Sequence, residues 1–417
     1  MKRSVRDIFS CPLLTPEEAQ PVMISFDDIE HDINGVKSAM ERYGYCIVTD
    51  VISADNGDTS LNGGCDEYQS LETSINEDLS ELIDIDAVRQ GDSKLKSAVR
   101  RCSQHGVARW PSASLEAIGN RNRLQLKGLP HGRFAWRCRM LPKVRRVYEV
   151  LHETTDLVSS CDNPFVTTDT EQQGEEATEN RLWPHVDQND HDFIIAHQDV
   201  YQGLLYCWSS SDRRSSTTVV WPGSHIPEVY DLYMKDAFLE KRGRKGIHFM
   251  AISMVQDLET RDKLMQGWLS HARRVTVPVG GLLLWSSRTT HQGWSGGPRL
   301  AQPVCWEPRE RRSAKVRGRK LALAALGLPS THSASLGQPH NLVSQRRPMA
   351  TLPERRGSSF GKTVLPLKAT IKSQALRDGV GALEVWDTLK GINLQNISLE
   401  HLNYLESVLK EEFKAVL

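Results

Sequence analysis

No CxxC pair occurs among the eight cysteines of this 417-residue chain, which removes a zinc ribbon and a redox dithiol from consideration. Charge of neither sign is in excess. Lys+Arg and Asp+Glu are both 52, so the positive field of a general nucleic-acid binder is missing. No apolar run approaches the roughly 20 residues of a membrane span. The basic start, MKRSVRDIFSCPLL, leads into no apolar segment of the secretory kind, and the last residues, FKAVL, are not a peroxisomal address. These absences set the expectation of a soluble, cytoplasmic protein that binds neither nucleic acid nor membrane.

What is present suffices for a packed core: 39% hydrophobic and 25% charged residues are the proportions of a globular chain. The length allows one large domain with extensions or two ordinary ones. Cys11, Cys46, Cys207 and Cys305 lie in or beside apolar runs and read as buried free thiols.

The first 25 residues read as irregular, with PLLTPEEAQP as a cap and first turn. Ile29, Ile33, Val36, Met40 and Tyr43 recur at three- and four-residue spacing, which predicts an amphipathic helix over 26–43. A buried strand, GYCIVTDVI, follows. The acidic, turn-rich stretch 53–80 reads as a surface insertion. A helical stretch, 81–105, and a basic, Gly-rich one, 106–140, come next. A second amphipathic helix is expected over 141–158, with Val144, Val147, Tyr148 and Leu151 inward and Pro142 in the first turn. Arginines of 133–146 suit an acidic substrate or, more simply, a solvated helix face.

From 181 the period becomes that of strands. GLLYCW, STTVVW, RRVTVPV, GLLLWS and AQPVCW are short, β-branched or aromatic, and bounded by Gly, Pro or Ser. Trp183, Trp208, Trp221, Trp285, Trp294 and Trp306 fall in and around them. An antiparallel β barrel or jelly roll is the natural container, interrupted by a helical insertion at 226–271. Past Trp306 the chain is basic. A loop-rich, lid-like segment at 325–342 and a linker at 343–365 precede helices in 370–417. The final helix carries an apolar stripe, Leu399 to Phe413, suited to packing on the barrel or on another subunit as a homo-oligomer.

The chemistry-bearing stretch is RLWPHVDQND, 181–190, which sets His185 and Asp187 one residue apart. His291, in SSRTTHQGW, offers a third ligand, and Arg299 follows eight residues later. Two imidazoles and a carboxylate occupy one face of an octahedron and leave three positions open, an arrangement that favours non-haem Fe(II) with substrate and O₂. A second His-x-Asp, His197 and Asp199, fits the same short pattern.

The run from Trp183 to Arg299 resembles the phytanoyl-CoA dioxygenase family of Fe(II)/2-oxoglutarate enzymes. The resembling pieces are WPHVDQ, VYQGLLYCW, VVWPGSH and LLLWSSRTTHQGWSGGPRLAQPVCW, with GYCIVTD similar to that family's N-terminal strand. They cover about half the chain. The resemblance implies a mainly β fold with flanking helices, built on a double-stranded β-helix (jelly roll). The chain is then divided into a catalytic domain over 1–345, with core 181–310, and a linker with helical extension over 346–417, which the resemblance does not cover. The resemblance maps the metal motif onto His185, Asp187 and His291 rather than onto His197 and Asp199, and the 2-oxoglutarate-binding arginine onto Arg299. His191 and His197 are then surface or supporting residues, and His225 of PGSH fixes a turn.

Gln202 is placed to hydrogen-bond the cosubstrate or a metal ligand, with a structural role as the alternative. Ser286 and Ser287 stand where relatives often carry an acidic residue, which leaves the bonding around the site open. The carboxylate at 187 implies oxidation of a small organic substrate by hydroxylation, desaturation or cyclisation, with succinate and CO₂ released. A peptidyl hydroxylase, an idle jelly-roll binding protein and a zinc or manganese cupin are the rival readings.

Overall fold

The computed structural model describes residues 8–31, 34–52, 64–81, 123–124, 128–168, 180–325, 329–330 and 332. In chain order its strands are β1 Ile8–Phe9, β2 Met23–Ser25, β3 Tyr45–Thr49, β4 Leu157–Ser159, β5 Phe165–Thr167, β6 Asn180–Arg181, β7 His185–Val186 and β8 Tyr201–Tyr206. They continue as β9 Thr217–Val220, β10 Met250–Ala251, β11 Arg273–Arg274, β12 Leu282–Ser286, β13 His291–Trp294, β14 Arg299–Pro303 and β15 Trp306–Pro308. The chain divides into two compact units, Met1–Ala54 with Thr170–Arg299, and Asp55–Asp169 with Leu300–Leu417. No helix among the described residues is long and apolar enough to cross a membrane.

In the first unit one sheet runs β10-β7-β13-β9-β11, with antiparallel pairing throughout. The other runs, within this unit, β2-β3-β12-β8. The chain passes back and forth between the sheets: β7 in the first, β8 in the second, β9, β10 and β11 in the first, β12 in the second, β13 in the first. That alternation is the connectivity of a jelly roll, with helices flanking it. The strands form where expected because β8, β9 and β12 are short apolar runs, buried along their length.

RRVTVPV departs from expectation: only Arg273–Arg274 joins the ladder. Beyond it Ser210 Oγ accepts from Val277 N at 2.9 Å, and Pro278 has no N–H to extend the pairing. Val275 and Val277 are still buried as the alternation requires, while Val279 is only half-buried.

The predicted helix over 26–43 is two segments, Phe26–His31 and Asn34–Tyr43, burying Ile29, Val36 and Met40. The N-terminal cap is Thr15, whose hydroxyl accepts from Glu18 N while Thr15 N donates to Glu18. Gly44 turns the chain into β3 at φ +76°. A Cβ there would lie 2.4 Å from His225 Nδ1, and His225 itself bonds Glu41 O at 2.9 Å, so it fixes a turn as expected.

The insertion after β9 is helical, as Pro227–Met234, Ala237–Gly243 and Leu258–His271, but it also contributes β10 to the sheet. Asp236 and Asp257 cap two of these helices. Tyr233, Leu239, Leu264 and Trp268 pack with Val186, Val219 and Trp294 of the sheet and with Phe9. Each such side chain, fully buried, contributes on the order of 1.5–3 kcal/mol.

In the second unit helix Pro142–His152 has Pro142 at its first turn and buries Val144, Val147, Tyr148 and Leu151 as predicted. The stretch read as a surface insertion is in part helix, Gly64–Glu81. Leu71, Ile75 and Leu79 stand four apart and are buried. Asp78 accepts from Arg133 N and Phe134 N, both at 3.0 Å. Acidic composition masked a helical period. Of the arginines considered for an acidic substrate, Arg133 is held by Asp78, Arg137 by Ser74 and Arg145 by Glu149, and in the basic stretch past Trp306 Arg309 is held by Asp156 and Arg312 by Glu307.

Cys11, Cys46, Cys138, Cys161, Cys207 and Cys305 are buried and free. The helix expected over 81–105, almost all of the lid segment, the linker and the C-terminal stripe lie outside the described residues.

Candidate metal centre

His185 opens β7 and His291 opens β13, and the two are ladder partners. Residues directly opposite in an antiparallel pair project on the same side, so the imidazoles meet, with ring centroids 4.4 Å apart. His185 Nδ1 bonds Trp183 O at 3.1 Å, and His291 Nδ1 bonds Thr289 O at 2.9 Å. A carbonyl only accepts, so each Nδ1 carries the proton and each Nε2 presents a lone pair.

Asp187 follows His185 by two residues, the strand period for a shared face, and its backbone N donates to Ser287 O at 2.9 Å. Its Oδ2 lies 3.7 Å from His185 Nε2 and 3.4 Å from His291 Nε2. The three ligand atoms fall within 4.8 Å of one another. An octahedral face with bonds of about 2.1 Å has edges of roughly 3 Å, so a small inward adjustment would close the set on one cation.

Two lone pairs and a carboxylate oxygen that converge in this way repel one another unless a positive charge lies between them. Among the described residues no lysine or arginine is paired with Asp187. Burial, reinforced by His291, pushes the His185 pKa down, which keeps its imidazole neutral. Burial opposes charge on Asp187, and the carboxyl is held well below its usual range only by positive charge beside it, at His185 first; with the imidazoles neutral, a bound cation would supply that charge. Neutral imidazoles and an ionised carboxylate are the donor set a divalent transition metal takes.

Gln202 on β8 donates from Nε2 to Asp187 Oδ2 at 3.1 Å and to Ser287 Oγ at 3.3 Å. Contact with a metal-ligand candidate is one of the roles the sequence offered for Gln202. Ser287 thus takes part where an acidic residue had been considered. Arg299, at the start of β14 and 4% exposed, places its guanidinium 5.3 Å from the Tyr206 ring centroid. Tyr206 shares a face of β8 with Gln202 four residues earlier, roughly 13 Å along the strand.

The rival pair does not converge. His197 is exposed with φ +62°, and Asp199 pairs with Arg288 at 3.4 Å.

Sequence reasoning missed the aromatic surround. Trp183 stacks on His185 at 4.6 Å and 15°, Phe249 lies 4.7 Å from the same ring, and Trp285 lies 5.2 Å from His291. Trp285 had a signal, since an alternating strand puts it on Leu283's face. Phe249, inside the insertion, had none.

No family model matches the chain, and no curated protein does. Solved structures do. EctD from S. alaskensis, with 2-oxoglutarate and 5-hydroxyectoine, matches at 15% identity over 74% of this chain and 86% of that chain, TM-score 0.40. The epimerase SnoN in complex with Fe3+, alpha ketoglutarate and nogalamycin RO matches at 14% identity over 66% and 84%, TM-score 0.36. GIG2 (DUF1479) from Candida albicans matches at 10% identity over 94% and 89%, TM-score 0.48. These three TM-scores are below 0.5, so the likenesses identify no family.

Proposed function

We propose that the protein is an Fe(II)- and 2-oxoglutarate-dependent oxygenase acting on a small organic molecule. The observation that carries this reading is the convergence of His185 Nε2, His291 Nε2 and Asp187 Oδ2, three electron-pair donors within 4.8 Å of one another. Iron bound there with 2-oxoglutarate would supply the oxidising power for attack by O₂ on a C–H bond, with succinate and CO₂ as co-products.

The chain's own residues do the rest. Trp183 O and Thr289 O hold the imidazole tautomers, as the outer partners of metal-binding histidines do. The Gln202 amide orients the Asp187 carboxylate. Arg299 offers a planar fork to the distal carboxylate of the cosubstrate. Trp183, Phe249 and Trp285 surround the imidazoles with apolar surface, which keeps water from the reacting atoms.

Anaerobic titration with Fe(II) and 2-oxoglutarate tests this. The expected result is a weak visible charge-transfer band that vanishes in Asp187→Ala and weakens in Arg299→Ala. A folded, metal-loaded protein without the band overturns the 2-oxoglutarate reading and favours a zinc or manganese centre or an idle scaffold.

A further inference from the structure

The helical insertion grips the His185-Val186-Asp187 segment from both sides. On the upstream side β10 pairs with β7, Met250 opposite Val186 and Ala251 opposite His185. Ile252 N donates to Pro184 O at 3.0 Å. Phe249, the residue before β10, lies against the His185 imidazole at 4.7 Å. On the downstream side, the neighbouring His248 bonds through Nε2 to Asp192 Oδ2 at 2.8 Å, with the two side chains 4% and 7% exposed. Asp192 Oδ1 accepts from Ile194 N at 2.9 Å, so the same carboxylate shapes the turn that follows the site.

The chain between Asp187 and Asp192 is held by the same insertion. Tyr230 donates its hydroxyl proton to Gln188 O at 3.0 Å, Asn189 Nδ2 donates to Leu239 O at 2.9 Å, and His191 Nε2 donates to Met234 O at 2.8 Å. At Gly243 a Cβ would lie 2.3 Å from Asn189 Oδ1 and 2.7 Å from His191 Cβ. The close approach is therefore built on the absence of a side chain.

A buried polar pair is rarely the most stabilising way to fill a core; well-packed apolar residues often serve as well or better. What it offers is one geometry. We propose that residues 248–251, tied down by the Asp192–His248 pair, are a positioning clamp for the metal centre. Phe249 sets the plane of the His185 imidazole, and the pair fixes the backbone that carries Asp187. The insertion is then part of the centre rather than an ornament on the barrel. This rests on the reading that His185, Asp187 and His291 bind a metal.

The test is anaerobic titration of the full-length protein with Co(II) alone. Binding is read from cobalt d–d absorption and from quenching of tryptophan fluorescence, since Trp183 stacks on His185. His248→Ala, Asp192→Ala and Phe249→Ala are each expected to weaken Co(II) binding about tenfold, the effect of losing an outer partner of a metal ligand. The His248→Ala/Asp192→Ala double variant is expected to lose no more than the worse single. His248→Gln, which keeps a donor, and Phe249→Tyr, which keeps a ring, are expected to recover most of the affinity.

Variants with native circular dichroism and wild-type Co(II) affinity overturn the clamp, as do additive losses in the double variant. If His248→Ala fails to fold, Phe249→Ala decides, because it leaves the tie in place. A wild-type protein that binds no Co(II) overturns instead the metal reading on which the clamp rests.

Discussion

The chain carries one three-residue pattern twice, as His185-Val186-Asp187 and His197-Gln198-Asp199, and folds the two copies into opposite environments. The first lies at β7, where alternation puts His185 and Asp187 on one face and the ladder brings His291 opposite. The second lies in a turn, where His197 has φ +62° and is exposed and Asp199 is spent on Arg288. Spacing of two residues makes a site only when the backbone is a strand with a third donor across the ladder.

The largest expected effect breaks the first copy. Asp187→Ala or His185→Ala should lower Fe(II) or Co(II) affinity by more than the roughly 10–100-fold typical of losing an outer partner, as read by metal titration. Metal binding that survives these changes but not His197→Ala would invert the comparison. Next in size is Arg299→Ala. Loss of a buried partner to a carboxylate costs several kcal/mol, so 2-oxoglutarate binding should weaken about a hundredfold. Calorimetric titration should find metal affinity intact in the same variant. Gln202→Leu should weaken metal binding about tenfold by freeing the Asp187 carboxylate.

A half-buried histidine outside the centre sharpens the contrast between function and packing. His152 bonds Trp306 O through Nε2 at 3.2 Å, and burial, then Arg311, pushes its pKa down to about 3. Its folded pKa lies below the unfolded value of about 6.5, so above pH 6.5 both states are neutral there. Below that pH the unfolded chain takes up the proton first, and stability is lost from about pH 6.5 down toward about 3. Denaturant midpoints measured across this window should fall less steeply in His152→Gln. The smallest effect belongs to the second copy of the pattern. His197→Ala and Asp199→Ala should shift stability by under about 0.5 kcal/mol and leave metal affinity at the wild-type value.

Much of this was legible in the chain itself. The short apolar runs of β8, β9 and β12 and the Pro142-led helix announce themselves by local period. What stayed hidden had long-range causes. Helix Gly64–Glu81 was obscured by acidic residues, because the value of Asp78 lies in capping a helix that begins at Arg133. RRVTVPV reads as a full strand, yet Ser210 Oγ intercepts the Val277 amide. Phe249 and the Asp192–His248 pair carry no periodic or motif signal, since each matters only through a partner more than fifty residues away.

By itself, then, the sequence determined the kinds of ligand present and the local periods that make strands and helices, because both depend on neighbours along the chain. The register of β7 against β13 brought His291 opposite His185, and the pairing of β10 with β7 brought the insertion against the same segment. Only the tertiary structure could decide these, because a ladder partner is chosen by burial and hydrogen bonding between distant segments.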